Sequence, residues 1–322
     1  MRKPFGRLLA ALVLLGASLA AHANTYSNLF IFGDSLSDTG NVFTLTGGAN
    51  PAPPYFNGRF SDGPVWAEYL AAGLGLPNGA RASQLGGTNF AFGGARTVGG
   101  SIPSVLSQVG SFASAFPALD PNALYVVVAG GNDMRDARTA FPTMDATGAA
   151  GRLAAATAAA NNLRTAITQL AGKGARNILV SSLPDLGNTP EAAALGLTAP
   201  SSDASLQFNL QINSLLGWGQ SQGLTMSFLD MAGVATAIRN DALNNGGAAY
   251  GILNVQTPCG AFQGSIGISC SISAFSDALH PSARAHALIG AAALAAVPEP
   301  ATWLLMAAGA MTLMAATRRR KL

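Results

Sequence analysis

Five short apolar runs, each separated from the next by a stretch long enough for a helix, constrain this chain more than any other feature. They fall at 29–33, 88–93, 123–130, 177–183 and 225–231, each ending in or beside Gly, Asp or Pro. Runs of that length and composition read as buried strands. Between Gly151 and Gly174, Leu153, Ala156, Ala160, Leu163, Ile167 and Leu170 recur at intervals of three and four, the stripe of an amphipathic helix. Pro64 opens a second helical pattern that runs to Leu70, with the proline in its first turn, and 282–296 give an alanine-rich closing helix. Strands alternating with helices predict an α/β domain with a central parallel sheet covered on both faces. In such a sheet, ligands bind beyond the carboxyl ends of the strands.

The first of those ends is Phe32-Gly33-Asp34-Ser35-Leu36-Ser37-Asp38-Thr39-Gly40-Asn41. A serine just past a strand, in a turn rich in Gly, Asp and Asn, is held exposed on a rigid scaffold, where a nucleophilic hydroxyl is useful. Its proton needs a base. The chain has three histidines, His22, His280 and His286. Only His280 has a carboxylate three residues upstream, in Asp277-Ala278-Leu279-His280-Pro281, a spacing that lets Asp277 hold one ring nitrogen and free the other for serine. His286 lies inside the closing helix and reads as a surface or packing residue. Asp34 and Asp38 flank the serine and read as side chains that stabilise its turn. An attacked carbonyl also needs donors aimed at its oxygen. Two turns could supply them: Thr88-Asn89-Phe90-Ala91-Phe92-Gly93-Gly94-Ala95 and Tyr125-Val126-Val127-Val128-Ala129-Gly130-Gly131-Asn132-Asp133.

These blocks, in this order, resemble those of the GDSL esterases and lipases, also called SGNH hydrolases. Further likeness to the bacterial secreted members lies in Asn57–Leu70, Ser182–Pro190 and the Ala249–Cys259 region, so the resemblance spans residues 28 to about 295. It implies a three-layer α/β/α, flavodoxin-like fold. It also implies catalysis by Ser35, Asp277 and His280, with an oxyanion hole built from Ser35, Gly94 and Asn132. Whether Gly93 or Gly94 takes that role is open at one residue's resolution. The context of Asp277 is less aromatic and less acidic than the family's usual form. No cofactor is expected, and without His-Glu-x-x-His or a Cys/His cluster no metal site is expected either.

The two ends have their own logic. Arg2, Lys3 and Arg7 precede an apolar run from Leu8 to Ala21, followed by Ala21-His22-Ala23. That is a secretory signal, with cleavage by signal peptidase expected after Ala23. Val297-Pro298-Glu299-Pro300 is followed by an uncharged run from Ala301 to Thr317 and then Arg318-Arg319-Arg320-Lys321. This tail, 297–322, resembles the PEP-CTERM sorting signal. The resemblance implies one transmembrane segment, recognition by an exosortase-type sorting protease, and delivery to the cell surface or beyond; a plain tail anchor is the alternative. Seven of the 18 lysines and arginines lie in these ends, as does one of the 15 acidic residues, so residues 24–297 hold 11 basic and 14 acidic side chains, a net charge of −3. The basic character of the whole chain therefore belongs to its sorting signals, and nucleic acid is not an expected partner.

Cys259 and Cys270 are the only cysteines. In an exported protein an even pair predicts a disulfide, with two buried thiols as the alternative. The expected substrate is an ester: a lipid, a small ester or an acetylated polymer. A polysaccharide O-acetyl esterase and a non-catalytic surface or matrix protein are the two rival readings.

Overall fold

The computed structural model describes residues 26–263 and 267–297. The expected signal peptide and its cleavage point at Ala23, and the expected membrane span at 301–317, lie outside the described residues. Among the described residues no helix is long and apolar enough to cross a membrane.

Four parallel strands form the sheet: β1 (Leu29–Gly33), β2 (Leu124–Val128), β3 (Asn177–Ser181) and β4 (Thr225–Leu229), hydrogen-bonded in that order. The register sets Ile31 opposite Val126, and Val180 opposite Phe228. Alternation then sorts the side chains. Phe32, Tyr125, Val127, Ile178 and Val180 point into a core shared with Phe112, Leu163, Ile167, Phe208 and Ile212 of the Val105–Ala115, Ala146–Gly172 and Thr198–Ser221 helices. Leu29, Ile31, Leu124, Val126 and Leu179 point the other way and are equally buried, so both faces of the sheet are covered. The Trp66–Gly73 and Ala283–Ala296 helices pack on each other, and the second also reaches β4. Gly290 permits that approach, because a Cβ there would stand 2.5 Å from the Cβ of Tyr69. Each large apolar side chain so buried contributes roughly 1.5–3 kcal/mol.

The run at 88–93 departs from expectation. It is extended and lies beside β1, with backbone bonds Ile31 N–H to Thr88 O (3.1 Å), Phe90 N–H to Ile31 O (2.6 Å) and Phe92 N–H to Gly33 O (3.1 Å). It nevertheless forms only bridges at Asn89, not a strand. The ladder stops at Gly33, whose N–H would pair with Phe90 O but donates instead to Gln108 Oε1 (2.9 Å). The Asn89 side chain meanwhile ties the segment to the turn around Ser35, with Nδ2 donating to Ser37 O (2.7 Å) and Oδ1 accepting from Ala91 N–H (3.0 Å). The segment still places its C-terminal turn beside that of β1.

Three boundaries also differ. The amphipathic helix begins at Ala146, capped by Asp145, and Leu153 faces solvent at 42% exposure, so it does not belong to the stripe. Pro64 lies outside its helix, which starts at Trp66 with Val65 as N-cap. Ser282 caps the closing helix without entering it, accepting from Ala285 N–H (3.2 Å). Two short parallel strands, β5 (Asn254–Pro258) and β6 (Ser273–Phe275), make a separate small sheet that leads into the His280 loop.

Candidate active site

The turn that carries Ser35 is built from the strand end outwards. Gly33 is required by packing, since a Cβ there would lie 2.5 Å from Val128 O. Its peptide is gripped by buried Gln108, which accepts from Gly33 N–H and donates to Gly33 O, both at 2.9 Å. Past that point Asp34 O accepts from Ser37 N–H and Asp38 N–H (both 3.0 Å), and Asp34 Oδ1 accepts from Leu36 N–H (3.0 Å). The Asp38 carboxylate accepts from the N–H groups of Gly40 (2.8 Å), Asn41 (2.6 Å) and Val42 (3.2 Å). Both aspartates therefore do the turn work expected of them. Burial pushes the Asp34 carboxyl up to about 6, against the hydrogen bond from Leu36.

Against this turn stands the loop between β6 and the closing helix. His280 Nε2 lies 2.9 Å from Ser35 Oγ, and His280 Nδ1 lies 2.6 Å from Asp277 Oδ2. The other carboxylate oxygen, Asp277 Oδ1, accepts from Leu279 N–H (2.7 Å) and His280 N–H (2.6 Å). Burial acts to raise the Asp277 carboxyl, but the His280 contacts and these bonds outweigh it and hold it far below the usual range. Ser35, His280 and Asp277 thus form one hydrogen-bonded chain across 245 positions of sequence.

The two expected oxyanion donors lie in different settings. Gly93 spends its N–H on Asp38 Oδ2 (2.8 Å). The N–H groups of Gly94 and Ser35 have no acceptor among the described residues, which favours Gly94 over Gly93 as the free donor. Gly94 has φ +81°, a conformation that favours glycine. Asn132 sits in the first turn of the Gly131–Ala140 helix, where a simple polar turn was expected. Its Oδ1 accepts from Arg135 Nη1 (3.1 Å) while Nδ2 donates to Ala95 O (2.9 Å), so one amide hydrogen remains for a ligand. Ser35, Asn132 and His280 line one cavity of about 110 Å³; Gly94 is not on its wall. If Asn132 is an oxyanion donor, Asn132→Ala lowers kcat by roughly 10²–10³-fold with little change in KM. Steady-state kinetics check this, and a selective rise in KM would make Asn132 a substrate-binding residue instead.

Two further residues touch this arrangement and go unread in the sequence. Tyr55 donates its hydroxyl to Asp277 Oδ2 from a loop 222 positions away, and no spacing rule signals it. Arg135 orients Asn132 from one helical turn further on, and reading the helix from Gly131 would have placed it on that face. Arg135 is itself paired with Glu191 (2.5 Å), which also receives buried Arg138.

His286 is fully buried, so it is a packing residue and not a surface one. Its Nδ1 accepts from Trp66 N–H at 3.2 Å. Burial, helped by the charge of His280, pushes its pKa down to about 3, against about 6.5 for a free histidine. The depressed value makes protonation favour the unfolded chain. Its stabilising effect is complete above pH 6.5 and is lost as pH falls from there toward 3. Asp34, raised to about 6, acts with the opposite sign as pH falls through 6. Comparing wild type with His286→Asn, whose amide oxygen can still accept from Trp66 N–H, isolates the histidine. The expected result is a shallower fall of Tm between pH 6.5 and 4 in the variant, and parallel curves would contradict it.

The Cys259–Cys270 disulfide is formed, with the two Cα atoms 4.8 Å apart. Among the described residues there is no group of His, Cys, Asp and Glu that could hold a metal ion.

Comparison with known proteins accords with this arrangement. The GDSL-like Lipase/Acylhydrolase family matches residues 29–293, and the PEP-CTERM protein-sorting motif matches residues 296–321. The chain belongs to the GDSL lipase/acylhydrolase family. It is 32% identical over 220 residues to a phosphatidylcholine-sterol acyltransferase of Aeromonas hydrophila, covering 65% of this chain and 59% of that one. It is 33% identical over 185 residues to Lipase 1 of Photorhabdus luminescens, covering 56% and 26%. With Esterase EstA of Pseudomonas aeruginosa it shares 29% over 248 residues, covering 65% and 36%. The matched segment is thus only about a quarter to three-fifths of these relatives' own lengths.

Proposed function

We propose that this protein is an exported serine ester hydrolase that works through an acyl-enzyme on Ser35. The observation that carries the reading is the hydrogen-bonded chain Ser35 Oγ, His280 Nε2, His280 Nδ1 and Asp277 Oδ2, at 2.9 Å and 2.6 Å. In the first half-reaction Ser35 Oγ attacks the ester carbonyl carbon while His280 Nε2 takes its proton. The imidazolium is stabilised by Asp277, and the carbonyl oxygen gains its charge facing the N–H groups of Ser35 and Gly94 and the Asn132 amide. Collapse of the intermediate breaks the bond to the alcohol, which leaves with the proton from His280. Water then attacks the acyl-enzyme by the same route and releases the acid.

The cavity beside Ser35 favours an acyl chain over an acetyl group. It runs from Ser35 between the Met231–Asn245 helix and the closing helix, and its walls include Leu183, Val234, Ile238, Val255, Phe275 and Ile289. An acetyl group would leave most of that apolar wall uncovered, whereas each further methylene buried there is worth about 0.8 kcal/mol. Lipase and acyltransferase relatives point the same way. A p-nitrophenyl ester series from acetate to decanoate, run beside acetylated xylan, tests this. Rising kcat/KM beyond acetate supports the reading; a preference for acetylated polymer would move it to a polysaccharide O-acetyl esterase. No turnover with any ester would favour a non-catalytic surface protein.

The PEP-CTERM motif supports export and sorting at the cell envelope, with an exosortase-type protease acting near Pro298-Glu299-Pro300. Deleting 297–322 should leave ester hydrolysis in vitro nearly unchanged and redirect the protein from the surface to the soluble exported fraction. C-terminal peptides recovered intact from the surface form would indicate a plain tail anchor.

A further inference from the structure

The loop that leads from the nucleophile turn to the Trp66–Gly73 helix touches the His280 loop at two places. Near its C-terminal end Ser61 Oγ donates to Pro281 O (2.9 Å), and Asp62 Oδ1 accepts from Ser276 Oγ (2.7 Å) and Ala283 N–H (2.8 Å). From its middle, Tyr55 donates its hydroxyl to Asp277 Oδ2, the same oxygen that faces His280 Nδ1. The Tyr55 ring is held edge-on by Phe262 (centroids 4.8 Å apart) and by Phe60 (6.0 Å), and Phe60 in turn lies 5.4 Å from the His280 ring. Phe262 belongs to the segment closed by the Cys259–Cys270 disulfide. The tyrosine is therefore seated by packing, with its hydroxyl aimed at one atom.

We propose that Tyr55 is a positioning residue that acts through Asp277, drawing off part of the charge on the carboxylate oxygen that serves His280. The proposal rests on the assignment of Asp277 and His280 above. Its physical content is a division of labour between the two carboxylate oxygens. Oδ1 is pinned by two backbone N–H groups, so the carboxylate keeps its place when the tyrosine hydroxyl is removed. What changes is the charge on Oδ2. A carboxylate oxygen relieved of a hydrogen-bond donor carries more negative charge and stabilises an adjacent imidazolium more strongly. Tyr55 thus weakens the pull of Oδ2 on an imidazolium at His280.

Tyr55→Phe keeps the ring and its aromatic seat while removing the hydroxyl. The other titratable and charged groups near His280 are common to both proteins: Asp34 in the serine turn, whose carboxyl, raised to about 6, also titrates on the acid side, His286 on the closing helix, Arg135 beside Asn132, and Asp185 and Arg239 on the cavity wall. The acid limb of the kcat/KM profile for p-nitrophenyl butyrate should move upward by roughly half a pH unit or more, as expected when a bond to a charged group is lost. Activity then falls about threefold or more on the acid side and is retained on the alkaline plateau. NMR titration of the His280 ring, identified by its absence in His280→Ala, should show the same upward movement.

An unchanged or lowered His280 titration in a Tyr55→Phe variant of wild-type Tm would overturn the proposal. So would a uniform loss of rate at all pH values with the titration unmoved, the mark of a merely structural role. The NMR measurement needs no turnover. Absence of ester hydrolysis in the wild type would sink the functional reading, while the titration still decides the role of Tyr55.

Discussion

Ser35→Ala is expected to lose ester hydrolysis by on the order of 10⁴-fold or more while keeping its fold. No other hydroxyl stands within hydrogen-bonding distance of His280 Nε2 among the described residues. The turn itself does not depend on the hydroxyl. Asp34, Asp38, Asn89 and Gln108 hold it through backbone groups and their own side chains, so the alanine backbone should sit in the same place. Initial rates on a p-nitrophenyl ester, paired with a thermal melt, check both halves of the statement. A folded Ser35→Ala protein that retains activity within about tenfold of wild type would leave the serine without its role.

His280→Ala should match that loss, because a serine hydroxyl without a base is a poor nucleophile near neutral pH. His286→Ala provides the contrast. Its histidine is buried against Trp66 and touches neither Ser35 nor Asp277, so the variant should lose stability, by about 2–4 kcal/mol as for other large-to-small core changes, and little kcat where it remains folded. The two losses are also not additive: Ser35→Ala combined with His280→Ala should be no slower than either alone, since both remove the same step. Two folded histidine variants with equal loss of activity would mean that the base had been wrongly chosen.

What could be read from sequence follows from how local each signal was. Ser35 was legible because strand, glycine and turn residues are contiguous. Asp277 and His280 were legible because a three-residue spacing places one carboxylate on both a ring nitrogen and a backbone N–H. Asn132 is legible as a candidate donor, but its helix is not. Gly130 and Gly131 read as a turn, whereas Gly130 takes φ +119° as the N-cap and the helix begins at the next residue. The run at 88–93 has a strand's composition, yet Gln108 takes the Gly33 N–H that would have continued its ladder with β1, a tertiary demand that overrides local preference. Tyr55 was illegible for the opposite reason. Its partner lies 222 positions away, and the glycine- and proline-rich loop that carries it has no periodicity from which a direction could be read.

The most direct measurement is covalent labelling of Ser35. Wild-type protein treated with a fluorophosphonate, digested and mapped by mass spectrometry should carry one adduct, on Ser35. The labelling rate should fall sharply in His280→Ala, and the adduct should be missing from Ser35→Ala. An adduct on any other serine, or labelling of Ser35 that is as fast without His280 as with it, would contradict an acyl-enzyme built on Ser35.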